Sequence, residues 1–322
     1  MIDVVKVAKK LKNAVLADPE RFYTNETGAW VAGMPSPQEI QVSTGREPFW
    51  INLGYWHDVE RVDENNAERV GELFKAAQSQ MAHLLAKTAR LGTEDTVLDC
   101  GFGYADQDLL WAEEYRPARI TGVNITPNQV RVGRERVRLT GLDDVVHLQE
   151  GSATALPFDA DTFSVVFALE SAMHFRTRRD FLREAFRVLR PGGRLVMADM
   201  CQKSDRESGV GLRRRLRHRY WRGQIAFPEA NVWTTQRYLS ELADAGFKNE
   251  WLDSIGADVY PGVNTAIVAL RGMTAVERDP AATTVDKVRE AVERARVTPL
   301  EESQWSALFN CDEYVVAYAE KP

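Results

Sequence analysis

Between residues 95 and 200, short apolar runs alternate with segments of helical periodicity, and this alternation constrains the fold more than any other feature. Apolar runs of about four to eight residues indicate buried strands, whereas apolar residues spaced three and four apart indicate amphipathic helices. The pattern predicts strands at 96–100, 118–125, 145–151, 163–171 and 194–200. It predicts helices at 64–90, 107–115, 127–141 and 178–190. Such alternation is typical of an α/β protein with a doubly wound parallel sheet.

The rest of the chain is arranged around this predicted core at 91–200. Residues 1–90 predict a helical N-terminal extension or cap. The polar, strongly basic stretch 201–235 is interpreted as a lid, because segments inserted after sheet strands lie where α/β folds bind ligands. Residues 236–322 are expected to complete the core with two helical stretches and a closing strand, at 238–247, 284–296 and 314–321.

The composition excludes several classes of protein. Hydrophobic residues make up 44% of the 322 residues and charged residues 27%, which is ordinary for a globular protein. The net charge of -6 argues against nucleic-acid binding, since phosphate contacts need a basic surface. The three cysteines are scattered, and no stretch approaches the roughly 18 apolar residues of a membrane helix. We therefore expect a cytoplasmic protein with no stable membrane association.

The segment VLDCGFGYA (97–105) is the most informative motif. An apolar strand ends at Asp99, and Gly101 and Gly103 follow before a helix, so the turn is tight and a ligand can approach the backbone. A GxG loop alone is weak evidence. NAD-binding loops usually have an apolar residue at the position of Asp99, whereas an acid there could hold a cationic amino group, which nicotinamide cofactors lack.

Further segments sharpen this motif, namely GVNIT (122–126), EGSATALPF (150–158), ALESAMHF (168–175) and VLRPGGRL (188–195). Together with the loop, they resemble the class I S-adenosylmethionine-dependent methyltransferases. INLGYW (51–56) makes the chain similar to the natural-product subgroup with erythromycin-type sugar O-methyltransferases, to which terpenoid and sterol C-methyltransferases are related. The resemblance covers about residues 49–200. It implies a Rossmann-like class I methyltransferase sheet with a helical N-terminal extension and an inserted lid.

The resemblance also implies S-adenosylmethionine as the cofactor and assigns residues to it. Asp99, Gly101 and Gly103 would hold the methionine moiety. Asn124 stands where the family has an acid that binds the ribose hydroxyls, and an amide can still donate and accept there. Ala105 replaces the third glycine of the loop. The remaining expected cofactor contacts are Ile125, Gln129, Ser152, Ala153 and Glu170, of which Ser152 and Ala153 lie in the segment near the adenine.

Two side chains after the predicted fourth strand are candidates for the catalytic base. Glu170 ends the apolar run VVFALE, and burial would raise the pKa of its carboxyl group into the range of a base. His174 can deprotonate a hydroxyl near neutral pH and is also expected to contact the substrate. The alternatives are that Glu170 caps a helix or binds a backbone amide, and that His174 is a packed or solvent-facing histidine. The other histidines lack metal-ligand spacing, so no protein-built metal site is expected.

Aromatic residues are expected to line the substrate pocket. Tyr55 and Trp56 follow a glycine in the INLGYW segment, and core packing is the alternative for both. Trp221 lies in the predicted lid, where Phe227 and Trp233 add aromatic surface that could cover an apolar substrate.

The expected function is methyl transfer to a small, partly apolar natural product, with O-methylation of a hydroxyl preferred. One alternative is C-methylation of an isoprenyl diphosphate, in which Glu170 removes a proton from the carbocation. The arginines of RRRLRHRYWR (213–222) would then hold the diphosphate with Mg²⁺, although an acid-paired, solvated helix face is the other interpretation of these arginines. A non-catalytic S-adenosylmethionine-binding protein is a further alternative. A homo-oligomer is possible.

Overall fold

The computed structural model describes residues 42–60, 62, 69–204, 227–276 and 311–322. The regular elements in these ranges are the helices α1 (Val70–Ala89), α2 (Asp106–Glu114), α3 (Pro127–Thr140), α4 (Arg178–Val188), α5 (Thr235–Asp244) and α6 (Gly256–Val276). The strands are β1 (Thr96–Cys100), β2 (Arg119–Asn124), β3 (Val146–Glu150), β4 (Phe163–Leu169), β5 (Leu189–Gln202), β6 (Lys248–Ser254) and β7 (Asp312–Glu320).

The strands form one sheet in the order β3-β2-β1-β4-β5-β7-β6. Strands β1 to β5 pair in parallel, and β7 runs antiparallel between β5 and β6. The strand order reverses between β1 and β4, and in open α/β sheets the carboxyl ends of the strands at such a point form the ligand crevice. The predicted doubly wound, Rossmann-like fold is confirmed, and its switch point lies beside the glycine loop.

Helices cover both faces of the sheet and bury two hydrophobic cores. The core on one face includes Met81 and Leu85 of α1 and Trp111 of α2. The other includes Phe181 of α4 and Leu242 of α5. Parallel strands that are covered on both faces are apolar along their whole length rather than on alternate residues, which is why the sequence indicates them so clearly.

Two elements differ from the sequence expectation. Strand β5 begins at Leu189 rather than at residue 194, so the Pro-Gly-Gly run lies inside the strand and not between helix and strand. The pairing of β4 with β5 shifts register between Phe163 and Val165, and this irregularity accommodates the extra residues. The sequence pattern does not predict β6, because KNEWLDS is a largely exposed edge strand without apolar alternation.

The flanking segments are described in part. Helix α1 matches the amphipathic helix expected at 64–90, and β7 matches the closing strand. Most of the predicted lid and the helical stretch at 284–296 lie outside the described residues, whereas Phe227 and Trp233 at the end of the lid range are buried in the core. No helix in the described ranges is both long and apolar enough to cross a membrane.

Candidate active site

The glycine loop after β1 has a backbone conformation and a close contact that explain its composition. Gly101 and Gly103 have φ values of +88° and +56°, in the left-handed region that favours glycine. A Cβ atom on Gly101 would lie 2.4 Å from the Cβ of Ser171, so the loop is in direct contact with the chain after β4. Ala105, which replaces the third glycine of the family motif, also has a positive φ of 69°. The loop therefore keeps its shape despite the substitution.

Asp99 lies at the start of this loop, and only one of its two carboxylate oxygens accepts a hydrogen bond. The side chain is fully buried, Gln107 Nε2 donates to its Oδ2 at 2.9 Å, and its Oδ1 has no hydrogen-bond partner. Burial raises the pKa of Asp99 to about 7. A buried carboxylate with an unused acceptor atom fits a cationic donor, such as the amino group of a methionine moiety.

Asn124, at the end of β2, binds the glycine loop from the other side. Its Nδ2 donates to Gln129 Oε1 at 2.8 Å and to the carbonyl oxygen of Gly103 at 3.4 Å. Its Oδ1 accepts from the backbone N–H of Thr126 at 3.1 Å. The amide is thus held by protein partners in an orientation that stabilises the loop. The next residue, Ile125, is 42% exposed, which leaves an apolar surface beside the loop.

The segment after β3 lies next to Asn124. The backbone N–H of Gly151 donates to the carbonyl oxygen of Asn124 at 3.0 Å. Ser152 is partly buried, its Oγ lies 3.0 Å from Thr154 Oγ1, and Ala153 packs in a hydrophobic core. The structure therefore brings the expected adenine-side segment to the end of β2, where Ile125 is exposed.

Glu170 follows β4 directly and accepts two hydrogen bonds on a single oxygen. Its backbone is in the left-handed region, with φ 48°. Tyr314 Oη donates to Glu170 Oε1 at 2.5 Å, and the backbone N–H of Leu53 donates to the same atom at 2.6 Å. Burial raises the pKa of Glu170 to about 7, although both hydrogen bonds oppose the rise. Glu170 therefore has both the raised pKa expected of a base and the contact with a backbone amide that was the alternative interpretation.

Tyr314 is a site residue that the sequence analysis does not identify. It is at the start of β7, and its side chain is fully buried. Because β7 runs antiparallel to β5, its first residues lie at the edge of the sheet where the parallel strands end. The antiparallel closing strand was the only signal in the sequence that could have placed a tyrosine there.

His174 lies on a short 3-10 turn, Ala172–His174, that is fastened to the glycine loop. Ser171 Oγ donates to the carbonyl oxygen of Cys100 at 2.6 Å, and the backbone N–H of His174 donates to the carbonyl oxygen of Ser171 at 2.9 Å. The imidazole is partly buried. Glu170 and His174 are thus both held at the carboxyl end of β4, next to the loop, as predicted.

A buried polar network fixes the other side of this turn. Asn231 Nδ2 donates to the carbonyl oxygens of Met173 and Phe175, at 3.0 and 2.6 Å. Asn231 Oδ1 accepts from the backbone N–H of Arg178 at 2.7 Å. The guanidinium group of Arg178 is paired with Asp199 Oδ1 at 2.8 Å, and both side chains are fully buried. The end of the predicted lid range, at Asn231, therefore positions the backbone on both sides of His174.

The N-terminal segment 45–56 crosses the site. Arg136 donates to the carbonyl oxygens of Gly45 and Glu47, at 3.2 and 2.7 Å, and pairs with Asp106 at 2.9 Å. Farther along the segment, Ile51 packs on Gly103, and the backbone N–H of Leu53 reaches Glu170. This segment covers the glycine loop and joins it to the candidate base.

The expected substrate residues of this segment have different environments. Trp56 is 2% exposed and stacks on Phe74, with 5.9 Å between ring centroids, in a small hydrophobic core. This is the packing that was the alternative for Trp56. Tyr55 is partly exposed and stacks on His57. Trp221 and the arginines of 213–222 lie outside the described residues.

This chain is similar in sequence to known methyltransferases. A family model described as a methyltransferase domain matches residues 98–197. The erythromycin 3''-O-methyltransferase of Saccharopolyspora erythraea is 38% identical over 215 residues, which cover 66% of each protein. The methyltransferase GfsG of Streptomyces halstedii is 34% identical over 150 residues, which cover 47% of this chain and 50% of that protein.

A solved structure shows the same fold. A geranyl diphosphate methyltransferase in complex with GPP and sinefungin gives a TM-score of 0.66 at 19% identity, over 95% of this chain and 97% of that one. The fold and the loop therefore define a Rossmann-like protein with a glycine loop at the switch point of its sheet. The chain belongs to the class I S-adenosylmethionine-dependent methyltransferases. It spans 66% of the length of the erythromycin enzyme and 50% of GfsG.

Proposed function

We propose that this protein transfers the methyl group of S-adenosylmethionine to a hydroxyl group of a small, partly apolar natural product. The observation that carries the proposal is the position of Glu170, a carboxyl group with a raised pKa that is held at the end of β4 beside the glycine loop. The similarity to a protein named erythromycin 3''-O-methyltransferase supports an oxygen acceptor.

The residues at the loop fit the cofactor. Asp99 has an unused buried acceptor for the amino group, and Gly101 and Gly103 expose the backbone of the turn. Ile125 offers an apolar surface next to Asn124, where the adenine and ribose are proposed to lie, with Gln129, Ser152 and Ala153 around them. When bound, S-adenosylmethionine supplies an electrophilic methyl group on its sulfonium.

We assign the proton transfer to Glu170. At neutral pH a carboxyl group with a pKa of about 7 is partly ionised, and it is a stronger base than an ordinary glutamate. The hydrogen bonds from Tyr314 and Leu53 occupy Oε1, which orients Oε2 for the hydroxyl proton of the acceptor. The bond from the acceptor oxygen to the methyl carbon would form as the carbon–sulfur bond of the sulfonium breaks and S-adenosylhomocysteine leaves, and Glu170 would take the hydroxyl proton and pass it to solvent. His174 is the second candidate for the same step.

The acceptor pocket is assigned to side chains around Glu170. Tyr55 and His174 are the partly exposed candidates among the described residues, and Trp56 supports the segment that carries Tyr55. Trp221 is proposed to cover the substrate from the lid range. A cytoplasmic location is also proposed, and the buried, reduced thiols of Cys100 and Cys201 support it.

The experiment is a screen of acceptors with methyl-labelled S-adenosylmethionine and the purified protein. Macrolide glycosides with free sugar hydroxyls form one arm, and geranyl diphosphate with Mg²⁺ forms the other. A labelled ether product that Glu170→Gln makes far more slowly supports the proposal. Methylation of carbon in the diphosphate arm would instead favour the C-methyltransferase alternative, and the described residues contain no cluster that could hold a metal without such a substrate.

A further inference from the structure

A second buried carboxylate lies in the first turn of α2, and the site described above gives it no role. Asp108 is fully buried, the only backbone N–H that acts on its carboxyl group is its own, and no other residue donates to its Oδ1 or Oδ2. The preceding residue, Gln107, donates to Asp99 and so fixes this turn against the end of β1. Three carboxylate oxygens next to the glycine loop, Asp99 Oδ1 and both oxygens of Asp108, are therefore buried without a donor from any other residue.

The surrounding protein does not supply the missing donors. The positive charge of Arg136 acts on Asp108, but its guanidinium group pairs with Asp106 and binds three backbone carbonyl oxygens. Asp106 and Asp99 add negative charge, and the Cys100 thiol beside Asp99 has a pKa raised by burial. Native proteins satisfy the great majority of their buried polar groups, so three unpaired carboxylate oxygens point to a cationic ligand.

We propose that Asp108 binds the cofactor together with Asp99, the two carboxylates forming one acceptor site for the α-ammonium group of the methionine moiety. A primary ammonium group has three N–H donors and a full positive charge, so it can satisfy the unpaired oxygens and stabilise both carboxyl groups in their ionised form. This inference rests on the cofactor of the proposed function and is independent of the acceptor.

Cofactor binding at this site should release protons, and the number released can be measured. Burial raises the pKa of both aspartates, and the charge of Asp99 raises the pKa of Asp108 further. Without the cofactor, the pair therefore holds protons near neutral pH. The arriving ammonium group favours the ionised carboxylates, and the displaced proton passes to solvent. Binding should consequently release protons and become tighter as the pH rises through neutrality.

The test is calorimetric titration of the full chain with S-adenosylhomocysteine and with its deamino analogue, in which hydrogen replaces the α-amino group. For Asp108→Asn, we expect at least a tenfold weaker Kd for S-adenosylhomocysteine and a change of less than twofold for the deamino analogue. Glu114→Gln, which removes a charge from the exposed end of the same helix, is the matched control and should leave both Kd values unchanged. An equal loss for both ligands, or no loss, would overturn the proposal.

A measurement on the unmodified protein keeps the proposal testable if Asp108→Asn does not fold. Titrations in phosphate and in Tris at about pH 7 give the number of protons released from the difference in ionisation enthalpy of the buffers. Release with S-adenosylhomocysteine that is absent with the deamino analogue supports the site, and equal release with both rejects it. Because no acceptor is used, this outcome does not depend on whether hydroxyl methylation is correct.

Discussion

Tyr314 and Glu170 are 144 positions apart in the sequence, and yet the hydroxyl of Tyr314 donates to Glu170 Oε1 at 2.5 Å. The tyrosine remains a donor at any physiological pH, because burial and the negative charge of Glu170 raise the pKa of its hydroxyl well above the ordinary value. This hydrogen bond stabilises the ionised carboxylate. It therefore counteracts the effect of burial and sets the pH at which Glu170 can accept a proton.

Removing this hydrogen bond should shift the pH dependence of turnover. In Tyr314→Phe, the ionised form of Glu170 loses a donor, so the pKa of the carboxyl group rises. A hydrogen bond to a charged group contributes about 1.5–3 kcal/mol, so the rising limb of the kcat profile should move up by roughly one pH unit or more. The profile is measured with the acceptor found in the screen. An unmoved limb would show that Glu170 is not the titrating base.

Glu170→Gln should separate binding from chemistry. The amide preserves the size of the side chain but cannot take a proton, so kcat should fall by about 10²–10⁴-fold if Glu170 is the general base. The Kd for S-adenosylhomocysteine should stay within about threefold, since the contacts of the glycine loop are intact. His174→Ala is the comparison variant. If His174→Ala has the larger effect on kcat and removes the rising limb, the base is His174 instead.

The free energy of unfolding should also depend on Glu170 in a definite direction. Its pKa in the folded protein is about 7, above the value of an unfolded glutamate. The folded state therefore binds more protons, and the stabilisation from protonated Glu170 is present at acidic pH and lost as the pH rises through about 7. Glutamine does not titrate, so Glu170→Gln does not lose this stabilisation. The free energy of unfolding of Glu170→Gln should therefore rise relative to that of the parent protein between pH 5 and pH 8. Denaturant unfolding across this range measures the difference, and a constant difference would contradict the raised pKa.

Two glycines distinguish backbone strain from steric contact. Gly101 and Gly141 both have positive φ, at +88° and +70°, but only Gly101 faces a close neighbour, whereas nothing lies within 4 Å of a Cβ on Gly141. Gly141→Ala should cost about 1–2 kcal/mol of stability and leave cofactor binding unchanged. Gly101→Ala should cost more and also weaken S-adenosylhomocysteine binding, because Ser171 must move. Similar effects on binding would show that the contact between the loop and Ser171 is unimportant.

The buried pair of Arg178 and Asp199 has a matched control on the same helix. Arg178→Met leaves Asp199 buried without its cation and should lower the free energy of unfolding by about 3–5 kcal/mol. On the same helix, Arg183 pairs with Asp180, and these side chains are 67% and 36% exposed. Arg183→Met should therefore cost less than about 1 kcal/mol. Urea denaturation of both variants measures the difference, and equal costs would be inconsistent with the buried network.

The sequence predicts best those strands whose residues are nearly all buried. Strands β1, β2 and β4 are buried along most of their length, and their apolar runs indicate them clearly. Strand β6 is exposed at the edge, so its polar sequence carries no such signal. The glycine loop and Glu170 are local motifs and could be identified directly, and they were found together as expected.

The site contacts that could not be predicted come from distant parts of the chain. The N–H of Leu53 and the hydroxyl of Tyr314 meet on one oxygen of Glu170, and only the three-dimensional arrangement of β4 and β7 brings them together. Trp56 illustrates a second limit. A large aromatic residue next to a motif can line a substrate pocket or pack in a core. Trp56 is only 2% exposed, so it belongs to the core.

The antiparallel closing strand has a consequence for protein synthesis. Glu170 leaves the ribosome 144 residues before Tyr314. At about 5–20 residues per second, this interval lasts roughly 7–30 s. During that time the carboxyl group has no tyrosine donor, and β5 lacks its partner on one edge. The nascent chain therefore contains the glycine loop well before Glu170 has its tyrosine donor, and only the arrival of β7 completes both the sheet and the proposed acid–base site.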